Sequence, residues 1–218
     1  DVLVDGLDSL AATIADFAPE LVGLSLRNVD DTRPGGHTQV AGYREIAAVI
    51  RGATSAPLVL GGSAYTLFPE RYLAELGADY GIAGEGEHLR LLADALAGGL
   101  DPDAVREGAG IPGLHRPGRP AIPTVHWHGP VGHADAATRL LAEYGRIGGM
   151  LNVQTKRGCS MRCCYCTYPA IEGRRLRNHA SDGLVDEVER LVAHGARFLF
   201  FVDSVFNLDL DHTARMAE

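Results

Sequence analysis

The chain has 218 residues, room for one or two domains of ordinary size and a sizeable core. Apolar residues make up 46%, charged residues 22% and aromatics 6%, an ordinary globular composition that excludes disordered, collagenous and membrane classes. With 20 Lys and Arg against 28 Asp and Glu, the formal net charge is -8. That balance argues against nucleic acid as a partner, because affinity for a phosphate backbone rests on clustered cations that release counterions.

No run approaches the ~20 apolar residues of a spanning helix, so no transmembrane segment is expected. The opening DVLVDGLDSL carries neither a basic stretch nor a small-residue cleavage site, and the expected location is cytoplasmic. The chain begins at Asp1 inside what reads as a strand and stops at Glu218 inside a helical pattern, so it reads as a fragment.

In chain order, VLV reads as a strand, Leu7, Leu10, Ala11 and Ile14 as a helix, and LVGLSL from Leu21 as a second strand. Tyr43, Ile46, Ala47 and Ile50 mark a helix, PLVLGG a buried strand, Tyr72, Leu73 and Leu76 a short helix after Pro69, and DYGIAG another strand. Leu89, Leu92 and Leu96 share one face of a helix opening after Gly86. Alternation of this kind, with continuously apolar strands, predicts a doubly wound parallel sheet, an α/β domain over residues 1–98. Residues 99–149 shift to Pro, Gly and His, as in GIPGLHRPGRPAIPTVHWHGP, and read as a linker. From residue 150 to 218 the order is strand (Leu151 to Thr155), cysteine loop, helix (Leu184, Val185, Val188, Leu191, Val192) and the buried strand RFLFFVD.

All four cysteines fall within eight residues, in KRGCSMRCCYC. A stapled secreted fold spreads its cysteines to close long loops, whereas clustered thiols bind metal or do redox chemistry. Cys159, Cys163 and Cys166 have the spacing CxxxCxxC directly after a strand, and three thiolates on one loop can hold three irons of a cubane cluster, leaving the fourth open. CxxxxCxC through Cys164 is formally possible, but adjacent residues point apart and Cys164 is assigned to packing. Structural zinc is the competing reading; it ordinarily pairs two separated knuckles, and no second knuckle is present.

The CxxxCxYC string, with Tyr165 before its last cysteine, resembles the radical S-adenosylmethionine (SAM) superfamily. The resemblance implies that Cys159, Cys163 and Cys166 bind a [4Fe-4S] cluster, that SAM chelates the open iron, and that Tyr165 packs near the adenine. It also implies a (β/α)6 partial barrel of which residues 150–218 are the start, with homolytic cleavage of SAM to a 5'-deoxyadenosyl radical. Asp203 and Asn207 end the second strand, where parallel α/β arrays place their ligands; they either contact SAM or substrate or cap the following turn. Arg174, Arg175 and Arg177 either meet an anionic substrate or form a solvated basic patch.

In the first domain, three strands are followed by loops of small residues, which let backbone approach a bulky ligand closely. No Walker loop or GxGxxG is present, which disfavours nucleotide triphosphate or NAD. As a set, LVGLSLRN, PLVLGGSAYTLFPE and GADYGIAGEGE resemble the cobalamin (B12)-binding domain that precedes the radical core in the B12-dependent branch. By that resemblance Ser25, Leu26 and Arg27, then Gly61, Gly62 and Ser63, then Gly84, Glu85 and Gly86 surround the corrin and its tail, with the family's first strand missing before Asp1. No DxHxxG string is present to supply a lower cobalt ligand, and His37 reads as an exposed loop residue.

The expectation is a cobalamin-dependent radical SAM methyltransferase acting on an unactivated carbon, inactive as this fragment alone. The implied partners are a small-molecule, lipid or peptide substrate and an electron donor such as flavodoxin or ferredoxin. A cyclase or ring-rearranging enzyme and a non-catalytic cobalamin- or metal-binding module are the alternatives.

Overall fold

The computed structural model describes residues 2–31, 36–105, 110–127 and 138–217, divided into two compact units, Asp1–Trp127 and His128–Glu218.

The first unit is built on a sheet in the order β1 (Val22–Ser25), β2 (Leu58–Gly61), β3 (Tyr80–Ile82) and β4 (Leu114–His115), the first three parallel and the last antiparallel. β2 explains the apolar run that predicted it. Leu58 and Leu60 enter one buried cluster with Ile14, Ile50, Tyr65 and Tyr72, while Val59 enters another with Ile82, Leu92 and Leu114. Successive side chains of a strand point to opposite faces, so a strand covered on both must be apolar throughout. Helices α1 (Val2–Phe17), α2 (Val40–Ala53), α3 (Ser63–Leu67) and α4 (Pro69–Glu75) supply the first cluster, and α5 (Leu89–Ala97) the second. Leu58, Leu60 and Leu92 are fully buried, each worth about 1.5–3 kcal/mol relative to exposure. Asp79 ties two elements to the sheet: its Oδ2 accepts from the Leu58 N–H and from Arg51, both at 2.8 Å.

Two expectations are corrected here. VLV is not a strand: residues 2–5 are helical, and Gly6 (φ 78, ψ 168) separates that turn from the helix predicted at Leu7. Backbone with no neighbouring strand to pair with satisfies its hydrogen bonds locally as helix. The stretch from 99 to 127 is not a linker either. β4 pairs with β3, Ile122 N–H donates to Leu114 O at 2.9 Å, and Gly113 N–H donates to Pro123 O at 3.1 Å. Gly113 (φ +74) allows this, because a Cβ there would sit 2.1 Å from Ala83 O.

In the second unit, β5 (Leu151–Val153) pairs in parallel with β8 (Leu199–Phe201) through α8 (Ser181–Ala193). The short pair β6 (Lys156–Arg157) and β7 (Arg177–Asn178) is antiparallel and brackets the cysteine loop and α7 (Tyr168–Glu172). Leu151, Val153, Leu184 and Leu191 form the core, with Leu141 packed on it from α6 (Thr138–Gly148). That helix lies inside the range predicted as linker, its amphipathic TRLLAEYGRIG diluted by the Pro and Gly around it; residues 128–137 lie outside the described residues. α9 (Leu210–Ala217) follows β8. RFLFFVD forms its strand but not a buried one. Phe200 and Phe201 are 54% and 41% exposed, because among the described residues β5 is the strand's one partner. Among the described residues, no helix is long and apolar enough to cross a membrane.

Candidate functional site

In the first unit the three small-residue loops open on the C-terminal edge of β1, β2 and β3, where Ser25, Gly61, Gly62 and Gly86 line a cavity of ≈ 240 Å³ with Leu24, Leu60 and Leu89. Gly62 makes the approach possible. At φ +94 a Cβ would lie 2.5 Å from Leu26 O and 2.9 Å from Ser25 Oγ, so a side chain here is excluded by conformation and by space.

The remaining predicted residues build the rim. The Leu26 side chain is fully buried in the core, its N–H donates to Gly61 O at 2.8 Å, and its carbonyl accepts from Ala64 N–H at 2.9 Å. Only its backbone belongs to the edge. Ser63 Oγ donates to Arg27 O at 2.6 Å, fastening the first loop to the second. Gly84 N–H donates to Thr66 Oγ1 at 2.9 Å, fastening the third to α3. Glu85 is buried, with Oε1 3.8 Å from His126 Nδ1. Arg27 and His37 are exposed.

Sequence reading missed a strap along this edge. His88 is buried, its Nε2 is 2.9 Å from Val125 O, and its ring meets Trp127 edge-on with centroids 5.9 Å apart. The signal available was TVHWH, whose aromatic and imidazole side chains are costly to leave in a free linker.

In the second unit the cysteine loop is fixed at its ends and open in its middle. Gly158 N–H donates to Glu172 Oε2 at 3.0 Å, Cys159 N–H to Gly173 O at 3.0 Å, and Ser204 Oγ to Gly158 O at 3.1 Å. Gly158 (φ +87) lies so close to the segment before β7 that a Cβ would be 2.1 Å from Arg175 O. Tyr168, whose hydroxyl donates to Val202 O at 3.3 Å, is pushed up to about 12 by burial and then by the charge of Glu172.

Cys159 is buried and Cys163, Cys164 and Cys166 are exposed, all four as free thiols. Cys166 N–H donates to Cys163 O at 3.3 Å, so these two ride on one turn. Tyr165 is 85% exposed, with its hydroxyl raised above the ordinary tyrosine range by the charge of Cys163 and a hydrogen bond to it. Among the described residues no three His, Cys, Asp or Glu side chains are gathered as a ligand group. The donor set nevertheless fits an iron–sulfur cluster: three soft, unpaired thiols share one short loop, two of them on an open turn.

Asp203 and Asn207 part company. Asn207 is exposed. The Asp203 carboxylate is fully buried and taken up by Thr155 and Lys156. Lys156, buried beside it, was not singled out in the sequence, since nothing local distinguishes it from a surface lysine. Of the arginines, Arg174 donates to Met161 O at 3.2 Å and Arg177 to Glu172 O at 2.5 Å; both brace the loop.

Residues 1–92 match the family model described as B12 binding domain. Residues 1–92 are thus a B12-binding domain, and with a CxxxCxYC loop following at the start of a βα unit the chain is similar to B12-dependent radical SAM enzymes. The structure of the radical SAM methyltransferase TsrM from Kitasatospora setae, solved with cobalamin and a [4Fe-4S] cluster bound, superposes with a TM-score of 0.81 at 30% identity over 97% of this chain and 42% of that one. In sequence the chain is 29% identical to a tryptophan 2-C-methyltransferase of Streptomyces laurentii, over 96% of this chain and 44% of the relative. The cobalamin-dependent SAM radical enzyme OxsB shares the fold, with a TM-score of 0.73 at 19% identity over 97% of this chain and 29% of that one. The chain thus spans less than half the length of these relatives.

Proposed function

We propose that this chain forms the cobalamin-binding domain and the cluster-binding start of a B12-dependent radical SAM methyltransferase that acts on an unactivated carbon of a small-molecule substrate. The observation that carries the reading is the pairing, in one chain, of a glycine-lined cavity at the sheet edge of a B12-binding domain with a loop of three free thiols at radical SAM spacing.

In this reading Ser25, Gly61, Gly62 and Gly86 present backbone and small side chains to the corrin, and the Ser63 and Thr66 bonds keep the three loops in register. Cys159, Cys163 and Cys166 hold the cluster and Tyr165 lies against SAM. When bound, the cluster supplies the electron that cleaves SAM and the corrin carries the methyl group. The protein's share is orientation. Cys159 is buried and its N–H bonded to Gly173 O, while Cys163 and Cys166 stand on an exposed turn. The exposed Arg162, Arg174 and Arg175 beside that turn suit an acidic electron donor of the flavodoxin or ferredoxin kind, in the cytoplasm.

Two binding measurements on the same preparation test this. After anaerobic reconstitution the chain is expected to show [4Fe-4S] absorbance and to retain hydroxocobalamin through gel filtration. Cobalamin without a cluster would reduce the chain to a binding module, and stoichiometric zinc would replace the radical reading with a structural metal.

A further inference from the structure

We infer that the buried Lys156–Asp203 pair is a clasp that holds the cysteine loop in position, making both of them positioning residues for the thiols and releasing Asp203 from the role of cofactor contact. The inference rests on the reading of Cys159, Cys163 and Cys166 as cluster ligands.

Both side chains are fully buried, with Nζ 3.4 Å from Oδ2. Asp203 Oδ1 accepts from the N–H groups of Thr155 at 2.8 Å and Lys156 at 3.1 Å, and Oδ2 accepts from Thr155 Oγ1 at 2.7 Å. Lys156 Nζ donates to Phe206 O at 2.5 Å and stands 5.3 Å from the Phe206 ring centroid. Ser204 Oγ, one residue beyond Asp203, holds Gly158 O. The backbone leading into Cys159 is therefore bound, almost residue by residue, to the turn that follows β8.

β6 has only two residues, too few to fix a loop by pairing alone. A buried ion pair is also a poor means to stability, because desolvation offsets its attraction and an apolar pair of the same volume often does as well. What an apolar pair cannot do is bind two successive backbone N–H groups with a single carboxylate oxygen and reach a carbonyl with the opposing cation. That geometry fixes the direction in which the chain enters Cys159, while every residue from Ser160 to Thr167 is exposed. The clasp therefore sets one ligand rigidly and leaves Cys163 and Cys166 to adapt around the cluster.

The test compares wild type, Lys156→Met, Asp203→Asn, the double variant and Leu191→Ala, a core control that lowers stability without touching the clasp. Each 218-residue chain is reconstituted anaerobically, and iron release to a ferrous chelator and the electron paramagnetic resonance spectrum of the reduced cluster are measured. Each single clasp variant is expected to release iron ~10-fold faster than wild type, the scale seen when groups supporting metal ligands are lost, and with shifted g-values. The double variant should lie closer to wild type than either single, and Leu191→Ala should keep wild-type release and g-values. Should Lys156→Met not fold, Ser204→Ala, which removes only the bond to Gly158 O, carries the same expectation at ~3-fold. Wild-type release and g-values in folded clasp variants, or equal effects in Leu191→Ala, would overturn the clasp. A wild-type chain that takes up no iron would instead overturn the ligand reading, and the inference with it.

Discussion

Gly62→Ala probes the C-terminal edge of the first sheet at its tightest point. The φ of +94 with ψ 173 lies in a region open essentially to glycine alone, at about 1–3 kcal/mol for any other residue. The added Cβ would also meet Leu26 O at 2.5 Å, and that carbonyl accepts the Ala64 N–H at 2.9 Å. Moving it aside weakens a bond worth about 1 kcal/mol. Together these give a loss of about 2–4 kcal/mol. The readout is urea unfolding followed by the fluorescence of Trp127, the chain's one tryptophan, which lies in the first unit against His88. Gly86→Ala is the matched control: it lines the same cavity, but its Cβ would meet no atom of the described residues within 4 Å, so it should change stability by less than about 0.5 kcal/mol while weakening corrin retention. A Gly62→Ala protein as stable as wild type would refute the conformational argument.

Tyr65→Phe should raise stability by about 1 kcal/mol, because the Tyr65 hydroxyl is buried over Gly81 with no hydrogen-bond partner among the described residues; a loss in urea melts would mean that the hydroxyl is bonded. Gly113→Ala should destabilise the first unit by at least about 2 kcal/mol through the contact with Ala83 O, and an unchanged melt would separate residues 110–127 from the sheet. The Asp209 carboxyl accepts from His212 N–H and from Asn178, and these bonds hold it below the usual carboxylate range. Its contribution is therefore complete above the unfolded pKa of about 3.9 and lost as pH falls through the lower folded value. Asp209→Asn should flatten that acid limb in thermal melts across pH 2–5, and an unchanged limb would count against the bonds.

The parts of this fold that sequence disclosed are those where burial dictates residue type along a whole segment. Leu58, Val59 and Leu60 had to be apolar because both faces of β2 are covered, and Pro69 marked the start of α4 by lacking an N–H that the first turn does not use. The thiol spacing was likewise local, three donors on one loop. What stayed hidden depends on partners distant in the chain. β4 is only two residues long and exists because Gly113 lets it approach Ala83. Leu26 was read as a ligand contact, yet its side chain serves the core. Lys156 and Asp203 lie 47 positions apart, and nothing in KRGC or FVDS announces that they meet.

Three particular thiols, Cys159, Cys163 and Cys166, and not Cys164, are expected to hold an iron–sulfur cluster in a chain that also carries a B12-binding domain. Iron and sulfide analysis after anaerobic reconstitution, run on wild type and on the four single Cys→Ala variants, decides between the four thiols. The expected result is about four irons per chain in wild type and in Cys164→Ala, with cluster absorbance lost in Cys159→Ala, Cys163→Ala and Cys166→Ala. Loss in Cys164→Ala with retention in Cys163→Ala, or zinc in place of iron throughout, would contradict it.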